Sequence, residues 1–256
     1  MSHAGNIPEI APPRNKKFRL LDLFCGAGGA SEGYHRAGFE VVGVDINPQK
    51  HYPFEFHQAD ALTFPLDGFD AIHASPPCQA HSCLRSMPNA KKHKDLIPAT
   101  RDRLRTSGLP YVIENVPGAP LLPGWNSIIL CGTMFNLITA DGKAELRRHR
   151  FFELSFYPGL TPDCRHNGIV IGVYGGHGRD RRRSVGVWGH AGGSSRRDGL
   201  QAFSTKQRGE AMGIGWMTGA ELSQAIPPAY TFWIGTQLMS YLKRKQTNEM
   251  AMPLHS

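Results

Sequence analysis

The chain has 256 residues, 29 Lys and Arg against 21 Asp and Glu, a formal net charge of +8, and an ordinary 40% hydrophobic content. That is enough to bury one good-sized core with a small appendage. A membrane-spanning or secreted chain is not expected, because no apolar run approaches span length and the N-terminus lacks a signal-peptide h-region. The five cysteines (Cys25, Cys78, Cys83, Cys131, Cys164) are odd in number and unpaired in spacing. Free thiols in a reducing, cytoplasmic setting are therefore expected, not a disulfide framework.

Residues 1–17 lack periodicity and read as a frayed leader. From Phe18 onward strand and helix patterns alternate, which predicts an α/β fold with a parallel sheet. Strands are expected over 18–24, 40–45, 69–75, 111–115 and 127–131. Helices are expected over 29–37, stopped by Gly38, and over about 95–106, where Pro98 fits only the first turn. After residue 153 the pattern changes to glycines and short β-prone pieces, with 169–174 and 184–188 as strands of a separate small lobe. Order resumes near Lys206. A last helix over about 229–244 places Tyr230, Trp233, Ile234, Leu238, Tyr241 and Leu242 on one face. This divides the chain into a leader (1–17), a catalytic domain (18–153), a basic lobe (154–207), a returning segment (208–245) and a loose tail (246–256).

The charge is concentrated. Between Arg165 and Arg208 there are nine Lys and Arg against two Asp, with ten glycines. Basic, glycine-rich loops of this kind suit a phosphate backbone, with Arg179, Arg181, Arg182, Arg183, Arg196 and Arg197 as the contacts. The alternative is a solvated insertion.

Several strand ends carry chemistry. Leu20-Leu-Asp-Leu-Phe-Cys-Gly-Ala-Gly-Gly29 runs from a strand into a glycine turn, where backbone N–H groups can approach a ligand closely. Its spacing matches neither the dinucleotide fingerprint nor a phosphate loop. Asp45, ending the next strand, suits ribose hydroxyls, or else plain turn chemistry with Asn47. Asp60 suits an adenine amino group, or else a helix cap. Pro76-Pro77-Cys78-Gln79 closes another strand and leaves a thiol at the carboxyl edge, where open α/β sheets bind ligands. Glu114 is an acid in an apolar strand, costly to bury unless protonated or paired, and so suited to proton donation. Arg148 and Arg150 alternate in a strand-like run and are expected on one face, holding a substrate carbonyl or phosphate, or forming a surface salt-bridged strand. Cys83 reads as a bystander, and Cys131 and Cys164 as structural. Cys164-x-His166 offers two metal ligands without a second pair, so no metal is expected.

Together, Asp22-Leu-Phe-Cys-Gly-Ala-Gly-Gly29, Pro76-Pro-Cys-Gln79 with Ser82, Glu114-Asn-Val116 and Arg148-His-Arg150 resemble the motifs of the DNA cytosine-5 methyltransferase family, in its bacterial or phage form. The resemblance covers about 18–153 and 208–240. It implies a Rossmann-like S-adenosylmethionine-dependent domain with a small basic target-recognition lobe, acting as a monomer on double-stranded DNA in a bacterial or phage-infected cell. It implies Cys78 as nucleophile toward cytosine carbon-6 and Glu114 as the acid at nitrogen-3. Arg150 would hold the carbonyl oxygen, with Arg148 bracing the loop. Gly26, Gly28 and Gly29 would line the methionine portion of S-adenosylmethionine, Asp45 its ribose, and Asp60 and Ile46 its adenine. Asp22, Phe24, Ala27 and Pro77 complete the cofactor set, and Gln79 and Ser82 join the arginines on DNA. Two positions depart from the family pattern: Leu146 replaces a glutamine ahead of the arginines, and Gln224 in Ser223-Gln-Ala-Ile-Pro-Pro228 replaces an asparagine. The short recognition segment predicts a short target sequence. The same motifs also fit an RNA (tRNA) cytosine methyltransferase or an inactive DNA-binding relative.

Overall fold

A computed structural model of the chain describes residues 17–81, 93–173 and 203–251, with side chains to residue 248. Along the chain run β1 (Arg19–Leu23), α1 (Gly29–Arg36), β2 (Glu40–Asp45), β3 (Glu55–Gln58), β4 (Ala71–Ala74), α2 (Ile97–Ser107) and β5 (Tyr111–Asn115). There follow β6 (Ser127–Leu130), β7 (Ala144–Leu146), β8 (Arg150–Leu154), β9 (Ile169–Ile171), α3 (Thr205–Met212), α4 (Gly219–Gln224) and α5 (Pro228–Ala251). Short 3-10 helices cover Cys78–Ala80 and Gly132–Phe135.

Seven strands form one sheet in the order β3-β2-β1-β4-β5-β8-β6. The first five are mutually parallel. Strand β8 is antiparallel to both β5 and β6, which corrects the expectation of a wholly parallel sheet. Among the described residues no helix longer than one 3-10 turn lies between β6 and β8, so the chain returns without the crossover that a parallel neighbour requires.

Both faces of the sheet are covered, which is why its central strands read as near-continuous apolar runs. Leu20 packs with Tyr34, Tyr230, Ile234 and Leu238 beneath α1 and α5. Leu21 and Leu23 turn to the other side, with Ile97 and Leu104 of α2. Helices α1 and α5 approach so closely that a Cβ on Gly33 would lie 2.0 Å from Thr231 Oγ1. Helix α5 starts one residue before the predicted point and continues to Ala251, so residues 246–251 are helical rather than a loose tail.

A third, smaller core gathers Ala144, Leu146, Ile171, Val173, Ala211, Met212 and Leu222 around the parallel pair β7-β9 and helices α3 and α4. The lobe therefore draws on both sides of the predicted boundaries at 153 and 208. The predicted strand over 184–188 lies outside the described residues.

The strand order reverses at β1 and β4, since β2 and β3 extend the sheet one way and β4 and β5 the other. The crevice beyond the carboxyl ends of these strands is where such sheets place ligands. The glycine turn after β1 and the Pro-Pro-Cys segment after β4 both open there.

Candidate active site at the sheet's switch point

Parallel register brings the thiol and the acid to the same edge. Ala74 pairs with Ile113, so Ser75 and Glu114 lie level as the next residues on adjacent strands. The Ser75 N–H donates to Leu23 O at 3.1 Å, joining the Pro-Pro-Cys segment to the end of β1. Asn115 Nδ2 donates to Pro76 O at 2.8 Å, and the Asn115 side-chain oxygen accepts the Val116 N–H at 3.0 Å. Asn115 thus pins the approach to Cys78, a role for which its place beside Glu114 was the only sign in the sequence.

Cys78 is half-buried at the start of its 3-10 turn, with Pro77 and Gln79 exposed on either side. Burial pushes its thiol pKa up, as does the Glu114 charge, while Arg150 and Arg148 oppose the rise. Glu114 is 6% exposed, and Arg150 Nε lies 3.0 Å from its Oε1. Burial raises its pKa; Arg150, Arg148 and a hydrogen bond from Ser75 offset part of that. Behind it lies a buried polar chain. Tyr34 Oη is 3.0 Å from His73 Nδ1, and His73 Nε2 is 2.8 Å from Ser75 Oγ. Burial depresses His73 to a pKa of about 3, so its ring is neutral. With Tyr34 donating and His73 Nε2–H donating onward, the Ser75 hydroxyl is left to donate to Glu114.

The two arginines do not share a task. Arg150 pairs with Glu114, but Arg148 is fully buried and donates to the carbonyls of Val173, Ser223 (2.8 Å) and Ala225 (3.2 Å). Tyr230 Oη donates to Arg148 O at 2.6 Å from α5 below. Arg148 therefore acts on Glu114 and Cys78 by its charge, while its guanidinium ties the small lobe and the 223–225 segment to the site. Neither arginine lies in an exposed salt-bridged strand.

Gly28 caps α1 in the left-handed region (φ 86°), and a Cβ there would come within 2.9 Å of Pro53 and 3.1 Å of Tyr52. Space above Gly26 is open. Gly29 faces Ile226, where an added Cβ would sit 2.5 Å from the carbonyl oxygen. Asp45 accepts N–H bonds from Gly26 at 3.1 Å and Asn47 at 2.9 Å, which leaves further lone pairs on both oxygens. Ile46 is 66% exposed beside it, an apolar side chain in solvent at the mouth of the crevice. Asp60 is exposed and its side chain accepts the Leu62 N–H at 2.9 Å within a turn, with no helix after it to cap.

Two residues of the expected cofactor set turn their side chains inward. Asp22 is completely buried under the turn, accepting from Ser31 Oγ at 2.5 Å, and burial raises its pKa to about 7. It supports the turn instead of lining the crevice. The Ala27 side chain packs into the small lobe's core and its carbonyl accepts Trp216 Nε1–H at 3.0 Å. Phe24 is partly buried, with φ 59°, at the bend itself. Cys25 is sealed, and its thiol is raised far by burial. Gln224 is exposed at the end of α4. Ser82, Arg179, Arg181, Arg182, Arg183, Arg196 and Arg197 lie outside the described residues, as does Cys83.

The second pair missing beside Cys164 and His166 is supplied by the fold: Cys131 and His149 join them, with one ligand atom from each of the four within 4.8 Å of the others.

The fold is a mixed α/β architecture with a largely parallel central sheet and its crevice at the switch point. Residues 18–119 match the family model for C-5 cytosine-specific DNA methylase. Among curated protein sequences none matches significantly. Solved structures share the fold at low identity. A protein described as a DNA modification methyltransferase encoded within an Escherichia coli prophage aligns with TM-score 0.55 at 12% identity, covering 89% of this chain and 100% of that one. The Entamoeba histolytica methyltransferase EhMeth aligns with TM-score 0.53 at 14% identity, covering 91% and 99%. The Schizosaccharomyces pombe Dnmt2 methyltransferase aligns with TM-score 0.50 at 14% identity, covering 90% and 99%.

Proposed function

We propose that the protein transfers a methyl group from S-adenosylmethionine to carbon-5 of a cytosine flipped out of duplex DNA. The observation that carries this reading is the convergence of Cys78, Glu114 and Arg150 at the switch point of a cytosine-5 methylase-type fold. The crevice fits the cofactor: the turn beneath it has no room for a Cβ at Gly28, Asp45 keeps lone pairs for hydroxyls, and Ile46 offers an apolar surface to a purine. When bound there, S-adenosylmethionine supplies an electrophilic methyl group.

Cytosine carbon-5 is a poor nucleophile, and stacked in a duplex it is out of reach; extruding the base costs a few kcal/mol. The Cys78 thiolate adds to carbon-6 while Glu114 gives its proton to nitrogen-3, so electron density collects at carbon-5. After methylation the carbon-5 proton leaves and the carbon–sulfur bond breaks, which restores the ring. The charges around Cys78 favour this order of events. A carboxylate at Glu114 opposes a thiolate at Cys78, whereas a protonated Glu114 does not. A thiolate facing a protonated acid, with two cationic arginines beside them, keeps a single negative charge in the site. Arg150, released from Glu114 when that acid is protonated, is placed to hold the cytosine carbonyl oxygen. DNA is favoured as substrate by the family match and by the basic residues between 165 and 208.

A DNA duplex carrying 5-fluorocytosine tests the reading, because fluorine cannot leave as the proton does and the adduct persists. Wild-type protein with S-adenosylmethionine should form a covalent complex, and Cys78→Ser should form none. No adduct with any wild-type sample would overturn the enzymatic reading. Methyl incorporation into tRNA but not into duplex DNA would overturn the choice of substrate.

A further inference from the structure

Four side chains that take no part in the methyl-transfer chemistry converge on one point at the far edge of the sheet. Cys131 follows β6 and is fully buried. His149 precedes β8, and Cys164 and His166 lie exposed on the segment between β8 and β9. Cys164 Sγ is 3.1 Å from His166 Nε2 and 3.5 Å from His149 Nε2, and Cys131 Sγ is 3.4 Å from His166 Nε2. The imidazole rings stand nearly perpendicular, at 77° with centroids 5.1 Å apart.

These separations can be compared with a coordination polyhedron. Bonds of about 2.3 Å to sulfur and about 2.0–2.1 Å to nitrogen at tetrahedral angles put sulfur and nitrogen ligands about 3.6 Å apart. The three sulfur–nitrogen distances fall close to that edge length. Thiol–imidazole hydrogen bonding alone explains the arrangement poorly. Sulfur is a weak hydrogen-bond partner in each of the three approaches. A cation at the centre engages all four atoms at once. Two thiolates and two neutral imidazoles in tetrahedral array select zinc among the common metals. Thr133 adds outer support, with its hydroxyl donating to Cys131 Sγ at 3.4 Å and lying 3.8 Å from Cys164 Sγ.

We propose that Cys131, His149, Cys164 and His166 bind one zinc ion, in a structural site that staples the root of the target-recognition lobe to the catalytic sheet. Four protein ligands close the coordination sphere, so the ion has no open position for catalysis. Its second effect follows from alternation. His149 stands between Arg148 and Arg150, and tying its ring to the metal on one side holds the two flanking guanidinium groups on the other. The segment around residues 159–168, exposed or half-buried, gains a covalent-strength anchor just beyond where the chain leaves the sheet. Binding displaces the two thiol protons to solvent, since sulfur ligates as thiolate.

Metal content reads this directly and needs no methyl transfer, so it stands or falls apart from the proposed reaction. The full-length protein, purified under reducing conditions, should carry about one zinc per chain by elemental analysis. After chelator stripping, a cobalt(II) titration should saturate at about one equivalent, with the intense visible bands of four-coordinate cobalt and thiolate charge transfer. In Cys164→Ser/His166→Asn, zinc affinity should fall more than about 100-fold, beyond the range for loss of an outer-shell partner. Both positions are exposed, so the variant leaves the cores intact, and the cobalt titration of wild-type protein is decisive without it. Absence of stoichiometric zinc and cobalt binding, a weak six-coordinate cobalt spectrum, or full zinc retention by the double variant would overturn the proposal.

Discussion

Two thiol neighbourhoods on either side of the run 148–150 use the same functional group in opposite ways. Cys78 sits among charges: burial holds its thiol above the ordinary range, Glu114 adds to that, and Arg150 and Arg148 oppose it. Cys131 and Cys164 sit among imidazoles, each sulfur within 3.1–3.5 Å of a ring nitrogen. A thiol framed by charged groups is poised to move an electron pair, whereas thiols framed by ring nitrogens are poised to hold a cation. Three consecutive residues belong to both: Arg148 and Arg150 face the first neighbourhood and His149 the second.

Substitutions separate the two. Cys78→Ser should lower methyl transfer at least about 10⁴-fold, as removal of a covalent nucleophile does, and leave zinc content unchanged. Cys164→Ser should do the reverse, losing zinc while methyl transfer falls no more than about tenfold through looser arginine placement. Equal losses of activity in the two variants would abolish the distinction. Glu114→Gln removes the proton donor and should reduce kcat by about 10²–10⁴-fold. Asn115→Ala leaves the buried Pro76 carbonyl without its donor. Its kcat should fall up to about 10²-fold with little change in the KM for S-adenosylmethionine, because the thiol is displaced while the glycine turn is untouched.

A stability measurement tests the support beneath the cofactor turn. Asp22 is raised from 3.8 to about 7 by burial, so the folded state binds its proton more tightly than the unfolded chain. Its part of the stability is therefore lost as pH rises from about 4 to about 7, a change on the order of 4 kcal/mol. Asp22→Asn has no such dependence, and its Tm relative to wild type should increase across that window. His73 has the opposite sign, its contribution being lost as pH falls from 6.5 toward 3, but it is common to both proteins and cancels in the difference.

Much of the crevice was legible in the sequence because its signals are local. The run into Gly26-Ala-Gly-Gly29, the Pro76-Pro77 stop before Cys78 and the apolar stretch around Glu114 each announce a strand end within a few residues. Strands β2 and β5 match their predicted limits. The short strand β3 (burial alternating only weakly along Glu55–Gln58) carries little apolar signal and was not predicted. Asp22 looked like a ligand contact because it precedes the turn, yet strand alternation turned it onto Ser31 of α1. The motif Arg148-His-Arg150 was read as a same-face pair, which alternation supports. Only packing shows that one guanidinium meets Glu114 and the other a set of carbonyls.

By itself the amino-acid order determined the strands, the turn chemistry and the residue types available at each strand end, since periodicity, glycine and proline act over a few bonds. Tertiary structure alone decided which of those ends meet. It placed Ser75 level with Glu114, ran β8 antiparallel between β5 and β6, and brought Cys131 and His149 to a pair of ligands that looked incomplete. Those outcomes depend on sheet register and on contacts between residues tens of positions apart, and no local pattern in the chain encodes them.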